Sequence, residues 1–414
     1  MMRRLRAAVA AVALLGLFSG LAACTTGGSS PLGAHFIVSK DPSASWWPLD
    51  IWVEGLVPGH QVTVAASANS SGRWTSRATY GIPADGVVDL GTAMPELAPF
   101  SKPDAMGLFW SLARSGAGAA STNSEWGDGT VTIDLTASVD GRVVARYAVH
   151  RMGLGTIVAS HAVFDSGFLG DFFSPTGNAI GLQPAVLVLG GGDNGMQSGV
   201  LAAAQIAGFG FPTLALSSFG STGGVLQSGT LHAETLVAAL AWLRQQPGVD
   251  KDRVFVFGAS RSAPLALWAA VNYPSLVFGA FAPSGTTGVI CTSPVPVPAI
   301  TVGGAWVPCT TGTSVVRAAD VLPLQEIQGP IVLACAGEDE TLPNSCDWMT
   351  AGERARGNQF GDTFLRASGS THALYIPPYT PLYLPPSPTA QATENARAAF
   401  WSAVERTLHS ASRT

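Results

Sequence analysis

The hydrophobic pattern of this chain changes period near residue 150, and that change restricts the fold more than any other feature. Before it, apolar positions alternate. Leu49, Ile51 and Val53 are separated by Asp50 and Trp52, and Val131, Ile133, Leu135, Ala137 and Val139 run the same way. A period of two puts one face of a strand into a core. Asp140-Gly141 is a hairpin signal leading into a strand over 143–149. Short strands parted by turns predict a β-sandwich over residues 46–152. After residue 150 the apolar runs become continuous, at 185–189, 254–257 and 331–334. Such runs belong to strands covered on both faces. Helical segments intervene at 231–246 and, last in the chain, 389–408. The alternation predicts an α/β fold, a doubly wound, mostly parallel sheet over residues 153–414.

The N-terminus carries a targeting pattern. Arg3, Arg4 and Arg6 precede an apolar stretch over 7–21, too short for a convincing membrane span. Leu21-Ala22-Ala23-Cys24 closes it and resembles a bacterial lipobox, in which the cysteine is lipidated. The expectation is a signal peptide over 1–23, a tether over 24–45, and a chain exported and anchored by Cys24 to the outer face of the cytoplasmic membrane or cell envelope. Charged residues make up 12% and the net charge is −5, with no basic stripe, so a nucleic-acid partner is not expected. With Cys24 set aside, Cys291, Cys309, Cys335 and Cys346 remain. An even number in an oxidising compartment suggests two disulfides, and of three possible connectivities the pairing of neighbours is the simplest.

Gly258-Ala259-Ser260-Arg261-Ser262 directly follows the run at 254–257 and precedes a helical stretch over 263–272. This is the strand–turn–helix context of a nucleophile elbow, in which small residues flank the serine because the turn is tight. Ser262 stands where the consensus has glycine. Ser260 is the candidate nucleophile, and the Arg261 N–H at the helix start is one candidate oxyanion donor. In this fold the order is serine, acid, histidine. Of the 7 histidines only His372 and His409 follow Ser260, and His409 lies in the polar end of the last helix. His372, in the loop after a predicted strand at 363–365, is therefore the candidate base. The acid belongs after the strand at 331–334, where Gly337-Glu338-Asp339-Glu340 stands. Asp339 is favoured for its shorter side chain, with Glu340 the alternative. Gly191 and Gly192, in the glycine run after 185–189, are candidates for the second oxyanion donor.

The residues then resemble a known family, the acyl-CoA thioesterase/bile acid-CoA:amino acid N-acyltransferase (BAAT) family. The stretches Val53-Glu54-Gly55-Leu56-Val57-Pro58-Gly59 and Met106-Gly107-Leu108-Phe109-Trp110-Ser111-Leu112 match its pattern in the first half. Ser260-Arg261, Asp339-Glu340-Thr341-Leu342-Pro343, and His372 followed by Pro377-Pro378-Tyr379 match it in the second. Aligned from Pro343 backwards Asp339 is the acid; aligned from Gly337 forwards, Glu340 is. The resemblance implies an immunoglobulin-like sandwich before an α/β-hydrolase domain. It also implies hydrolysis of acyl thioesters or esters through an acyl-enzyme, without cofactor or metal. Serine at the nucleophile position implies hydrolysis rather than amino-acid conjugation. Export and the cysteine-bounded segment 291–309 depart from the family and argue against coenzyme A as the natural carrier. The alternatives are an acyltransferase to an envelope acceptor and a silent lipoprotein that binds acylated ligands.

Overall fold

A computed structural model describes residues 33–69, 72–115, 129–153, 158–165, 167–175, 181–190, 197–218, 230–291, 298–310, 315–382 and 387–413. Cys24, Gly191 and Gly192 lie outside the described residues. Residues 33–414 form one compact unit.

The alternating first half folds into two sheets over one core. The smaller contains His35–Val38, Ile51–Glu54 and Val88–Asp89. The larger runs Ser43–Ala44, Arg142–Met152, Thr130–Val139, Gln61–Asn69, Arg73–Gly81, Ala113–Ser115. Val62 faces Val139, Val64 faces Ala137 and Ala66 faces Leu135 across one antiparallel pair, so the apolar members share a face. They meet Ile51, Val53 and Val88 of the small sheet in a common buried cluster.

The second half builds one eight-stranded sheet. Its order is Val158–Asp165, Phe168–Pro175, Thr213–Leu216, Gln183–Leu189, Val249–Gly258, Gly279–Pro283, Ile331–Ala336, Thr363–Ala367. Six strands, from Thr213–Leu216 onward in that order, run parallel. The hairpin of the first two adds an antiparallel edge, which the apolar pattern did not announce. In the central strand, Ala185, Leu187 and Leu189 face helices Ala233–Leu243 and Ala263–Asn272, whereas Val186 and Val188 face Gln197–Gly208 and Pro388–Ala411. Both faces are covered, which is why the run has no polar member. The strand order with its antiparallel edge and helices on both faces is the α/β-hydrolase fold. The helix predicted over 231–246 is shorter than expected. Leu231–His232 pairs as a strand with Ile300–Val302, and the helix spans Ala233–Leu243.

Candidate active site

Val254, Phe255, Val256 and Phe257 are buried, and the strand Val249–Gly258 delivers the chain to a sharp turn at its C-terminal end. Ser260 sits there with φ of +55°, in the left-handed region that costs a non-glycine residue about 1–2 kcal/mol. Packing imposes the conformation: a Cβ at Gly258 would stand 2.2 Å from the Ser262 carbonyl oxygen, so only glycine lets the helix fold back so closely. The turn Ser260–Ser262 leads into helix Ala263–Asn272, with Pro264 in its first turn. Ser262, where the consensus has glycine, is fully buried and donates its hydroxyl to the Gly190 carbonyl. The departure from the motif thereby ties the elbow to the end of strand Gln183–Leu189.

His372 opens a short helical turn, His372–Tyr375, after strand Thr363–Ala367. Its Nε2 lies 2.8 Å from Ser260 Oγ. Its Nδ1 lies 2.9 Å and 3.0 Å from the two carboxylate oxygens of Asp339. An ionised carboxylate only accepts, so Nδ1 carries the proton and Nε2 is left to accept from the serine. Asp339 is buried beyond the end of strand Ile331–Ala336, and its Oδ1 also accepts the N–H groups of Thr341 (3.0 Å) and Leu342 (2.7 Å). Glu340, the alternative acid, does not meet the ring; its carboxylate accepts the backbone N–H of His372 at 3.0 Å. His409, set aside at the sequence level, ends the last helix and packs against Phe211. The two loops are stitched together, with Gly337 N–H donating to Ala367 and Glu338 N–H to Ser370.

The four cysteines form two disulfides, Cys291–Cys309 and Cys335–Cys346. The second brackets the loop that carries Asp339. Ser260, Arg261 and His372 open onto a cleft of about 350 Å³, lined also by Pro264, Ser284, Thr286, Ile290, Cys291, Thr341 and Leu342. Arg261 is half-buried there, and desolvation lowers its guanidinium pKa from the ordinary arginine value. Its backbone N–H follows Ser260 at the start of the turn, where helix-terminal N–H groups favour negative charge.

Sequence reasoning missed the side chains that hold His372 and the chain around it in place. Ser284, with φ of +51°, is fully buried at the end of strand Gly279–Pro283 and donates to the His372 carbonyl. Helix Pro388–Ala411 supplies three more. Thr393 accepts the Thr371 N–H, Glu394 accepts the Tyr379 N–H, and Arg397 reaches the carbonyls of Ile376, Pro377 and Thr380. No sequence signal separates these residues from other polar positions on an amphipathic helix or a strand end.

Residues 47–164 match the family model of the acyl-CoA thioester hydrolase/BAAT N-terminal region. No curated protein sequence matches the chain. Among solved structures, a dienelactone hydrolase-like promiscuous phosphotriesterase from metagenomic libraries is 17% identical, with a TM-score of 0.42, covering 61% of this chain and 98% of that one. A bacterial heroin esterase is 15% identical at a TM-score of 0.42, covering 61% and 85%. A "putative dienelactone hydrolase" from Klebsiella pneumoniae is 15% identical at a TM-score of 0.41, covering 59% and 98%. The family match ends within the first edge strand, Val158–Asp165, so it takes in the sandwich and the start of the second sheet.

Proposed function

We propose that this chain, whose residues 47–164 match the family model of the acyl-CoA thioester hydrolase/BAAT N-terminal region, is a serine hydrolase of acyl esters and thioesters. The observation that carries the reading is the hydrogen-bonded run Ser260–His372–Asp339 at the floor of an open cleft. His372 Nε2 takes the proton as Ser260 Oγ attacks the acyl carbonyl, and Asp339 stabilises the imidazolium. The developing oxyanion is met by the Arg261 N–H, with Gly191 and Gly192 proposed for the second donor. His372 then passes its proton to the departing alcohol or thiol. A water molecule, deprotonated by the same nitrogen, opens the acyl-enzyme and releases the acid.

The carrier is proposed to be general rather than coenzyme A. That group's phosphates call for a basic cluster at the mouth of the site. Among the described residues lining the cleft, Arg261 is the one lysine or arginine. Arg356 is buried against Asp362, and Arg366 pairs with Glu353. The test compares an acyl-CoA with the same acyl chain on a simple thiol. Efficiencies within about tenfold are expected, with Ser260→Ala abolishing both; a hundredfold preference for coenzyme A, about 2.7 kcal/mol of transition-state binding, would contradict the reading. We further propose that residues 46–152 and 153–414 act as two domains of one enzyme, held at the envelope by a lipid on Cys24.

A further inference from the structure

We infer that Ser284 is a positioning residue for His372, the buried half of a clamp on the main chain of the base. The inference rests on the triad reading above. A catalytic imidazole must be fixed in rotation and in height. Asp339 fixes its rotation by taking Nδ1–H. Its height depends on where the backbone of His372 lies, and both polar groups of that residue are held by side chains from other elements. The carbonyl accepts the Ser284 hydroxyl at 2.9 Å, and the N–H donates to Glu340 at 3.0 Å.

The two contacts differ in weight. Glu340 is exposed, and water can take its place as acceptor. Ser284 is fully buried, so bulk water does not readily take the place of its hydroxyl, and its loss unties the His372 carbonyl from the end of strand Gly279–Pro283. The backbone of Ser284 is itself committed to the task. Its N–H donates to the Ala334 carbonyl at 2.8 Å and its φ lies at +51°, where glycine is the relaxed choice. The next residue is glycine, and a Cβ there would stand 2.2 Å from the Cβ of Ala263, just past the elbow. A serine kept at a left-handed position, pressed against the nucleophile turn and joined to the base, is placed for its hydroxyl.

The test separates the hydroxyl from the backbone. Ser284→Gly relieves the left-handed conformation but removes the donor, and Ser284→Ala removes the donor alone. Turnover of a short aryl ester by both variants is expected to fall by ~10-fold or more, the scale of a small misplacement of a reacting group, with KM within about twofold. Thermal melting should show Ser284→Gly no less stable than Ser284→Ala. A glycine variant with wild-type kcat would overturn the inference, because the position would then serve the backbone only. A rise in KM at unchanged kcat would overturn it too, as the mark of a residue that merely touches substrate. The triad reading fails separately, if Ser260→Ala retains turnover. Crystal structures of wild type and Ser284→Gly then decide the clamp: a His372 Nε2–Ser260 Oγ separation lengthened beyond hydrogen-bond reach supports it, and an unmoved ring overturns it.

Discussion

In the proposed triad Ser260 attacks only while a neutral imidazole nitrogen faces its hydroxyl, and the carboxylate behind the ring sets that condition. In Asp339→Asn the amide can donate to Nδ1 and so favour the wrong tautomer. Aryl-ester turnover is expected to fall by about four orders of magnitude, with the fold retained by circular dichroism. Glu340→Gln should be far milder, because Glu340 meets the backbone N–H and an amide oxygen can still accept from it. The reverse ranking would move the acid to Glu340. Ser260 and His372 were legible in the sequence because an elbow has a recognisable context and few histidines follow it. Asp339 and Glu340 were separable only by preference, since neighbours in a loop point apart and spacing does not say which way. The loop itself selects: Asp339 is pinned by the Thr341 and Leu342 N–H groups and so faces inward. Ser284 was not legible, because a serine after a short apolar strand has no signature until its partner is in place.

At the scale of elements, the loop that carries His372, the proposed base, is held largely by the last helix. Arg397 and Glu394 are buried as a pair, 2.7 Å apart, and both hold the chain that follows His372. Burial pushes the Glu394 carboxyl up from 4.5 to about 6, against the pull of Arg397. Between those values the unfolded chain has released the proton that the folded chain keeps, so this group's contribution to stability falls as pH rises through the window. The difference in unfolding free energy between wild type and Glu394→Gln, measured by denaturant at about pH 4 and pH 7, should therefore shift against wild type by about 2 kcal/mol. A difference independent of pH would show that Glu394 titrates normally. The elements that the sequence announced are those with strong periodicity, among them Gln183–Leu189, Val249–Gly258 and Thr130–Val139. Gly279–Pro283 was missed because two alanines, a glycine and a proline around the single strand former Phe281 give the segment little strand propensity of its own. The edge hairpin was missed because a half-exposed edge lacks a continuous apolar run; in Val158–Asp165 only Val163 is buried.

Across the whole molecule, the sandwich and the eight-stranded sheet share structure rather than merely adjoin. Leu382, beyond the base loop, donates its N–H to the Trp110 carbonyl and lies with Ala390 in the sandwich core. In the other direction Trp46 packs into the α/β half so tightly that a Cβ at Gly208 would come within 2.9 Å of its ring. The segment Met106 to Leu112, part of the family resemblance, thus supports the chain that leaves the base. The sequence located both halves but not this coupling, because contacts between distant segments leave no local pattern. The proposed attachment to the envelope belongs to this scale too: Cys24→Ala is expected to leave the protein unlipidated and unprocessed in a membrane-fractionation and mass-spectrometric assay, and unchanged processing would refute the anchor. The central claim is that Ser260 is the nucleophile. Its most direct test is the mass-spectrometric site of the adduct formed by a fluorophosphonate on the purified protein. The account predicts a single adduct, on the peptide bearing Ser260, absent from Ser260→Ala; an unlabelled wild-type chain, or an adduct on another residue, would contradict it.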